Sequence, residues 1–198
     1  MPHYQPQDRF FKKAKEEGYR ARSAYKLEEI QKRYHFLKPG AKVLDLGAAP
    51  GSFIQFISKA IGEKGLVIGI DLKPITDFRK ANIRTYEGDI FDDKIYSKIL
   101  SENFVNLFDV ITSDLAPATS GIKFLDAGRS FQLNEQVLNI SGKYLKKGGS
   151  ALMKTFPGSE SDKLMQSAKE MFMEIKIAKP EAVRKSSREL YIVCIGRK

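Results

Sequence analysis

The stretch KVLDLGAAPGSFIQFISKAIG, Lys42 to Gly62, decides how the chain is read. KVLDLG (42–47) is a short, nearly continuous apolar strand, and SFIQFISKAIG (52–62) is an amphipathic helix that ends in glycine. Between them lies a turn holding Gly47 and Gly51. Glycine lets a chain turn tightly and lets a ligand approach the backbone closely. The alternation continues outward. GLVIGID (65–71), IRTYEGD (83–89) and LFDVITSD (107–114) read as three more strands, and an apolar stripe from Phe131 to Leu145 marks a long helix. A fifth strand runs from Ser150 to Phe156, and a helix near 160–173 comes after it. EIKIAKP (174–180) and RELYIVCIG (188–196) close the chain as two strands with no helix between them, hence an antiparallel pair. Apolar strands alternating with helices build a sheet covered on both faces. The expected fold is α/β and Rossmann-like, a mostly parallel seven-stranded sheet with a C-terminal antiparallel strand. Ligands of such sheets bind beyond the carboxyl ends of the strands.

Upstream, RSAYKLEEIQKRYHF (22–36) has helical spacing and is stopped by Pro39-Gly40. Residues 1–20 show no clean period, contain Pro2 and Pro6, and read as a mobile basic N-terminal arm ahead of a single domain over 21–198. The hydrophobic fraction of 42% and charged fraction of 29% suit one soluble domain of 198 residues. No apolar run approaches the ~20 residues of a membrane span, and the first residues lack the apolar core of a signal peptide. A cytoplasmic protein without membrane partners is expected, and a monomer, since no pattern suggests an obligate interface. The single cysteine, Cys194, excludes an intramolecular disulfide and argues against a cysteine-based zinc site, so no metal is expected.

The net charge of +10 is unevenly placed. Residues 1–40 hold ten Lys/Arg against five Asp/Glu, residues 176–198 hold seven against two, and the middle is balanced. A basic surplus confined to the two ends suits a phosphate backbone if the fold brings those ends together.

The turn after the first strand is neither a G-x-G-x-x-G dinucleotide fingerprint nor a P-loop. It reads D-x-G-x-x-x-G, and three acids, Asp45, Asp71 and Asp89, stand at the carboxyl ends of neighbouring strands. Acids suit a cofactor that carries positive charge and hydroxyls rather than a pyrophosphate. S-adenosylmethionine has a sulfonium, an ammonium, a ribose diol and an adenine amine. Asp71 is expected to accept from the ribose, Asp89 from the adenine amine, and Asp45 or its neighbours to face the methionine end.

The methyl acceptor follows by comparing chemistries. A base amino nitrogen calls for a D/N-P-P-aromatic turn after the fourth strand, and this chain has SDLAP (113–117) instead. Attack at pyrimidine C5 needs a cysteine, and Cys194 lies in an apolar strand where a small core residue is expected. A ribose 2′-hydroxyl needs to be held in line and to lose its proton. Lys154, inside the apolar run ALMKTF, is oddly placed unless its charge is paired or used. It ends the fifth strand beside Asp114 of the fourth, and Lys26 and Glu189 could complete a cluster of two lysines and two acids.

The motifs RSAYKL, VLDLGAAPGSF, SDLAP, MKTF and SSRELYIV, in this order over nearly the whole chain from about Asp8, resemble the FtsJ/RrmJ family of S-adenosylmethionine-dependent 2′-O-ribose methyltransferases. The resemblance implies a catalytic tetrad of Lys26, Asp114, Lys154 and Glu189, with Lys154 as proton acceptor or hydroxyl-orienting group. It implies cofactor contacts at Gly51, Phe53, Asp71, Asp89 and Asp114, to which the turn itself adds Gly47. Gly-Ser-Phe at 51–53 departs from the Gly-Gly-Trp of the better-known bacterial members and keeps an aromatic there. The implied substrate is a uridine of large-subunit ribosomal RNA within the assembled subunit. Arg20, Arg22, Arg184, Lys185 and Arg188 are then the expected RNA contacts. Methylation of tRNA or another RNA, and a catalytically silent RNA-binding assembly factor, are the alternatives.

Overall fold

The computed structural model describes residues 9–117, 121–184 and 186–198. Its elements in order are α1 (Arg9–Glu16), α2 (Ser23–Tyr34), β1 (Lys42–Leu46), α3 (Ser52–Ile61), β2 (Leu66–Asp71), β3 (Ile83–Glu87) and α4 (Asp93–Asn103). Then come β4 (Phe108–Ser113), α5 (Lys123–Tyr144), β5 (Leu145–Thr155), α6 (Ser161–Met171), β6 (Phe172–Ala178) and β7 (Leu190–Arg197). The sheet order is β3-β2-β1-β4-β5-β7-β6. β7 is antiparallel to both of its neighbours, and the pairs from β3 to β5 are parallel. The last strand in sequence is thus threaded between the two before it. The sequence order reverses between β1 and β4, and the crevice there is where such sheets bind ligands.

Strand parity sorts the core into two layers. Leu44, Leu46, Ile68, Ile70, Ile111 and Met153 face α4, α5 and α6, where they meet Tyr96, Ile99, Val137 and Leu164. Val43, Val67, Val110, Leu152, Tyr191 and Val193 face α2 and α3, where they meet Leu27, Ile30, Ile54 and Ile57. Lys154 follows Met153 and pairs in register with Tyr191, so parity sends it to the α2/α3 face. Cys194 lies on the opposite layer, fully buried, and burial pushes its thiol up to about 12. An inert core thiol is what that environment makes.

Three elements differ from expectation, the first being α4 between β3 and β4, where the sequence reading placed no helix. Within the stretch read as an arm, residues 9–16 form α1, whose Ala14 is buried with Tyr25 and Ala182 while Phe10 and Tyr19 pack on them. Aromatic contacts explain the docking: Phe10 and Tyr19 lie 5.8 and 5.6 Å from Tyr25, ring centroid to centroid. Residues 1–8 lie outside the described part. β5 starts at Leu145 rather than Ser150, and its register with β4 shifts around the Lys146–Gly149 stretch. Among the described residues no helix is long and apolar enough to cross a membrane, and no group of three or more His, Cys, Asp or Glu could hold a metal ion.

Candidate active site

At the carboxyl ends of β1, β2, β3 and β4 lies a cleft of about 330 Å³. Gly47, Asp71, Asp89 and Asp114 are on its wall, with the apolar Leu72 and Phe91 beside them. Larger hollows of about 510, 600 and 690 Å³ lie beside Asn139, beside Asn82 and at the opposite edge of the sheet, and none has more than two acids on its wall, against three here. The smaller cleft is the one with the chemistry.

The two loops of this cleft are fastened by main-chain groups. Gly47 and Ala48 donate their amides to the Ile70 carbonyl at 2.9 and 3.0 Å, which turns the chain sharply after β1. Gly47 has φ +71°, and a Cβ there would stand 2.4 Å from the Leu115 side chain. No other residue fits that crossing of β1 and β4. The Asp71 carboxylate accepts from the amides of Ala49 and Lys73, each at 2.9 Å. Asp89 accepts from the Phe91 amide at 3.0 Å. Both carboxylates are therefore oriented before any ligand arrives and keep lone pairs for one.

Asp45 is one step behind this wall and 1% exposed. Thr112 donates to its Oδ1 at 2.6 Å, and its Oδ2 has no partner among the described residues. Burial, with Asp114 and Asp71 adding repulsion, pushes its pKa up to about 8 against the pull of the Thr112 bond. A cleft ringed by carboxylates, with an unmet acid beneath it, fits a cationic, hydroxyl-bearing ligand. It does not fit a pyrophosphate.

Gly51 and Phe53, expected at the cofactor, stand apart from this wall. Phe53 is buried in the α2/α3 layer. An aromatic that follows the turn directly enters the helix, and the first turn of α3 points it into the core. Gly51, at φ +104°, is roofed by Phe78 and Arg20: a Cβ there would meet them at 2.3 and 3.0 Å.

The four residues expected to carry the chemistry come together on the α2/α3 face, at the ends of β4 and β5. Lys154 Nζ lies 3.0 Å from Asp114 Oδ1 and also donates to the Asp114 main-chain carbonyl. Lys26 pairs with Glu189. Lys154 and Lys26 are only 7% and 8% exposed, so each charge is kept from water by its partner rather than by solvent. From the other side of the sheet, the buried Asn134 donates to the Lys154 carbonyl at 2.9 Å and fixes the strand end that presents the amine.

Tyr191 was not anticipated. Its hydroxyl donates to Asp114 Oδ1 at 2.6 Å, and its ring centroid is 5.9 Å from Lys26 Nζ, so it joins the two ion pairs. Burial, then Asp114, raise its pKa well above the usual phenol range, keeping it a donor. The signal was present: Glu189 immediately precedes β7, and Tyr191, two residues on, falls on the same face.

The expected RNA contacts are divided. Arg184 and Arg188 are exposed near the site, Arg188 bonding the Pro157 carbonyl at 3.1 Å. Arg22 donates to the Ala182 carbonyl at 2.9 Å, and burial, with Arg184 nearby, lowers its pKa. Arg20 is engaged by the protein itself, and Lys185 lies outside the described residues.

Residues 19–197 match the family model of FtsJ-like methyltransferases. A ribosomal RNA large subunit methyltransferase E of Syntrophobacter fumaroxidans is 44% identical, the match covering 96% of this chain and 95% of that protein. The protein of the same name from Bdellovibrio bacteriovorus is 40% identical, with 98% and 99% covered. A solved ribosomal RNA methyltransferase of Plasmodium falciparum superimposes with a TM-score of 0.80 at 31% identity over 90% of this chain and 98% of that one. An Aeropyrum pernix fibrillarin solved with S-adenosyl-L-methionine shares the fold at 18% identity, with a TM-score of 0.56 over 81% of this chain and 68% of that one. The chain belongs to the FtsJ-like methyltransferase family, whose methyl donor is S-adenosylmethionine.

Proposed function

We propose that this chain transfers a methyl group to the 2′-hydroxyl of a uridine in large-subunit ribosomal RNA. Ribosomal RNA methylation is what the names of its full-length relatives describe. The observation that carries the finer reading is Lys154 held against Asp114 at the mouth of the acid-lined cleft, with Lys26–Glu189 and Tyr191 closing the same corner. Neither a base-nitrogen nor a C5 mechanism has a use for that arrangement, and a binding module has none either.

When bound, S-adenosylmethionine supplies an electrophilic methyl on a cationic sulfur. Asp71 and Asp89 would hold its ribose and adenine ends, their carboxylates already set by the backbone. Two hydrogens of Lys154 Nζ go to Asp114, which leaves one direction for a substrate oxygen. Lys154 therefore faces the substrate hydroxyl either as the group that points its lone pair toward the methyl or as the acceptor of its proton. Tyr191 keeps Asp114 from turning away, and Lys26–Glu189 walls the corner without adding net charge.

Purified protein with labelled S-adenosylmethionine is to be offered undermethylated large subunits, free ribosomal RNA, tRNA and capped RNA in parallel. One 2′-O-methyluridine in large-subunit RNA is the expected product. Label on tRNA or the cap moves the activity to another RNA. No transfer with cofactor still bound gives the assembly-factor role.

A further inference from the structure

Arg20 lies between α1 and α2, in a segment that crosses α3 and reaches the loops of the cofactor cleft. Its side chain was expected on RNA, yet it is spent inside the protein. One guanidinium nitrogen donates to the Pro50 carbonyl at 3.1 Å and another to the Asp77 carbonyl at 3.2 Å. The guanidinium carbon sits 3.6 Å from the centroid of the Phe78 ring, a stacked contact. Its backbone amide donates to Gln55 Oε1 at 2.8 Å, and Gln55 returns a bond to the Gly18 carbonyl at 2.9 Å, so the segment is fixed to α3.

Pro50 and Asp77 belong to different loops. Pro50 is in the turn after β1, next to Gly51, and Asp77 is in the segment after β2 that begins at Asp71. These two loops flank the cleft, and Asp71 already bonds the Ala49 amide across them. Arg20 adds a second tie farther from the ligand. Gly51 leaves the room for it, since any side chain there would strike Phe78 and Arg20.

We propose that Arg20, with Phe78, is a positioning residue that clamps the two cofactor loops at a fixed separation and so sets affinity for S-adenosylmethionine rather than for RNA. Only arginine serves here, because a planar fork reaches two carbonyls while its face lies on a ring, and lysine does neither. The proposal rests on the cofactor and not on the identity of the methylated nucleotide.

The test compares wild type with Arg20→Ala, Arg20→Lys and Phe78→Leu. S-adenosylmethionine binding is measured by calorimetry, and binding of a labelled single-stranded RNA is measured across a salt series. Arg20→Ala is expected to weaken the cofactor about tenfold, the scale of losing charge-assisted hydrogen bonds. Arg20→Lys does not restore it, and Phe78→Leu weakens it in the same direction by less. In a transfer assay the KM for cofactor rises while kcat at saturation stays within about twofold. The salt slope for RNA is unchanged. A slope shallower by about 0.7, the value of one lost phosphate contact on a single strand, makes Arg20 an RNA contact and overturns the proposal. Unchanged cofactor affinity in both Arg20→Ala and Phe78→Leu overturns it too. Should Arg20→Ala fold poorly, Phe78→Leu carries the cofactor measurement alone. If wild type methylates none of the offered RNAs while the calorimetric differences appear, the RNA reading fails and the clamp stands.

Discussion

Along one edge of one sheet, the half built by β1, β2 and β3 and the half built by β4, β5 and β7 keep their charged groups in place by different means. In the first half, Asp71 and Asp89 are gripped by the backbone amides of Ala49, Lys73 and Phe91. In the second, Lys154 and Lys26 are gripped by the side chains of Asp114 and Glu189, with Tyr191 bonded to Asp114. A backbone amide neither ionises nor depends on another side chain. A side-chain partner does both. The first half is thus a fixed socket in which a residue can be removed without stranding its neighbours. The second is a set of interdependent charges, where each deletion leaves a buried partner exposed to its own desolvation cost.

The sharpest break of this comparison is at Lys154. Lys154→Ala is expected to lower kcat at least about a thousandfold, in the range of losing a group that handles the transferred proton. Cofactor affinity by calorimetry stays within about threefold, because the amine is not part of the socket. A matching loss of cofactor affinity would mean that the two halves are one site energetically.

Lys26→Met strands Glu189 in a buried setting and is expected to cost about 3 kcal/mol in urea unfolding. Adding Glu189→Gln should recover most of that cost. A single variant costing less than about 1 kcal/mol would place the pair among exposed bridges of little worth.

In the socket the expected trade is reversed. Asp71→Ala weakens S-adenosylmethionine by about 2 kcal/mol, roughly thirtyfold, through the lost charge-assisted bonds. Stability changes by less than Lys26→Met changes it, since the amides of Ala49 and Lys73 turn to water. A large drop in stability would show that Asp71 holds the loops together more than it holds the ligand.

Asp45, on the border between the halves, gives the comparison a pH dependence. Its folded pKa near 8 exceeds the usual carboxylate value near 4. Between these the folded protein holds a proton that the unfolded chain has lost. Stability from this group is therefore complete below about pH 4, declines by up to about 1.4 kcal/mol per pH unit, and levels off above about 8. Asp45→Asn cannot ionise and should flatten that decline, read from urea unfolding at several pH values between about 5 and about 8. Identical slopes in both proteins would mean that another group satisfies Oδ2.

Much of this arrangement was legible because strands announce parity. Lys154 within ALMKTF already required a partner, and its place beside Asp114 followed from the sheet order. Other features carried no such signal. α1 buries only Ala14 of its eight residues, so no apolar period marks it, and its stability comes from Tyr25, which lies outside it. α4 buries only Tyr96 and Ile99, and its clearest mark is the Asp92 cap on the Lys94 amide. Tyr191 looked like one more apolar residue of a core strand, and only the register with Lys154 turns its hydroxyl into a link. Arg20 looked like a phosphate ligand because charge along a sequence does not reveal which guanidinium already has carbonyls to bind.

The threading of β7 between β5 and β6 has a consequence for how the molecule comes into being. β5 and β6 are made first and share no ladder, so a space the width of one strand must stay open between them. Glu189 and Tyr191 arrive with the segment that fills it. During synthesis the donor pocket can close early, from β1, β2 and β3, whereas the corner around Lys26 and Asp114 stays unfinished until the final insertion. On the proposed function, capture of the cofactor would precede competence for transfer. A nascent chain halted before Glu189 should bind S-adenosylmethionine more nearly normally than it methylates.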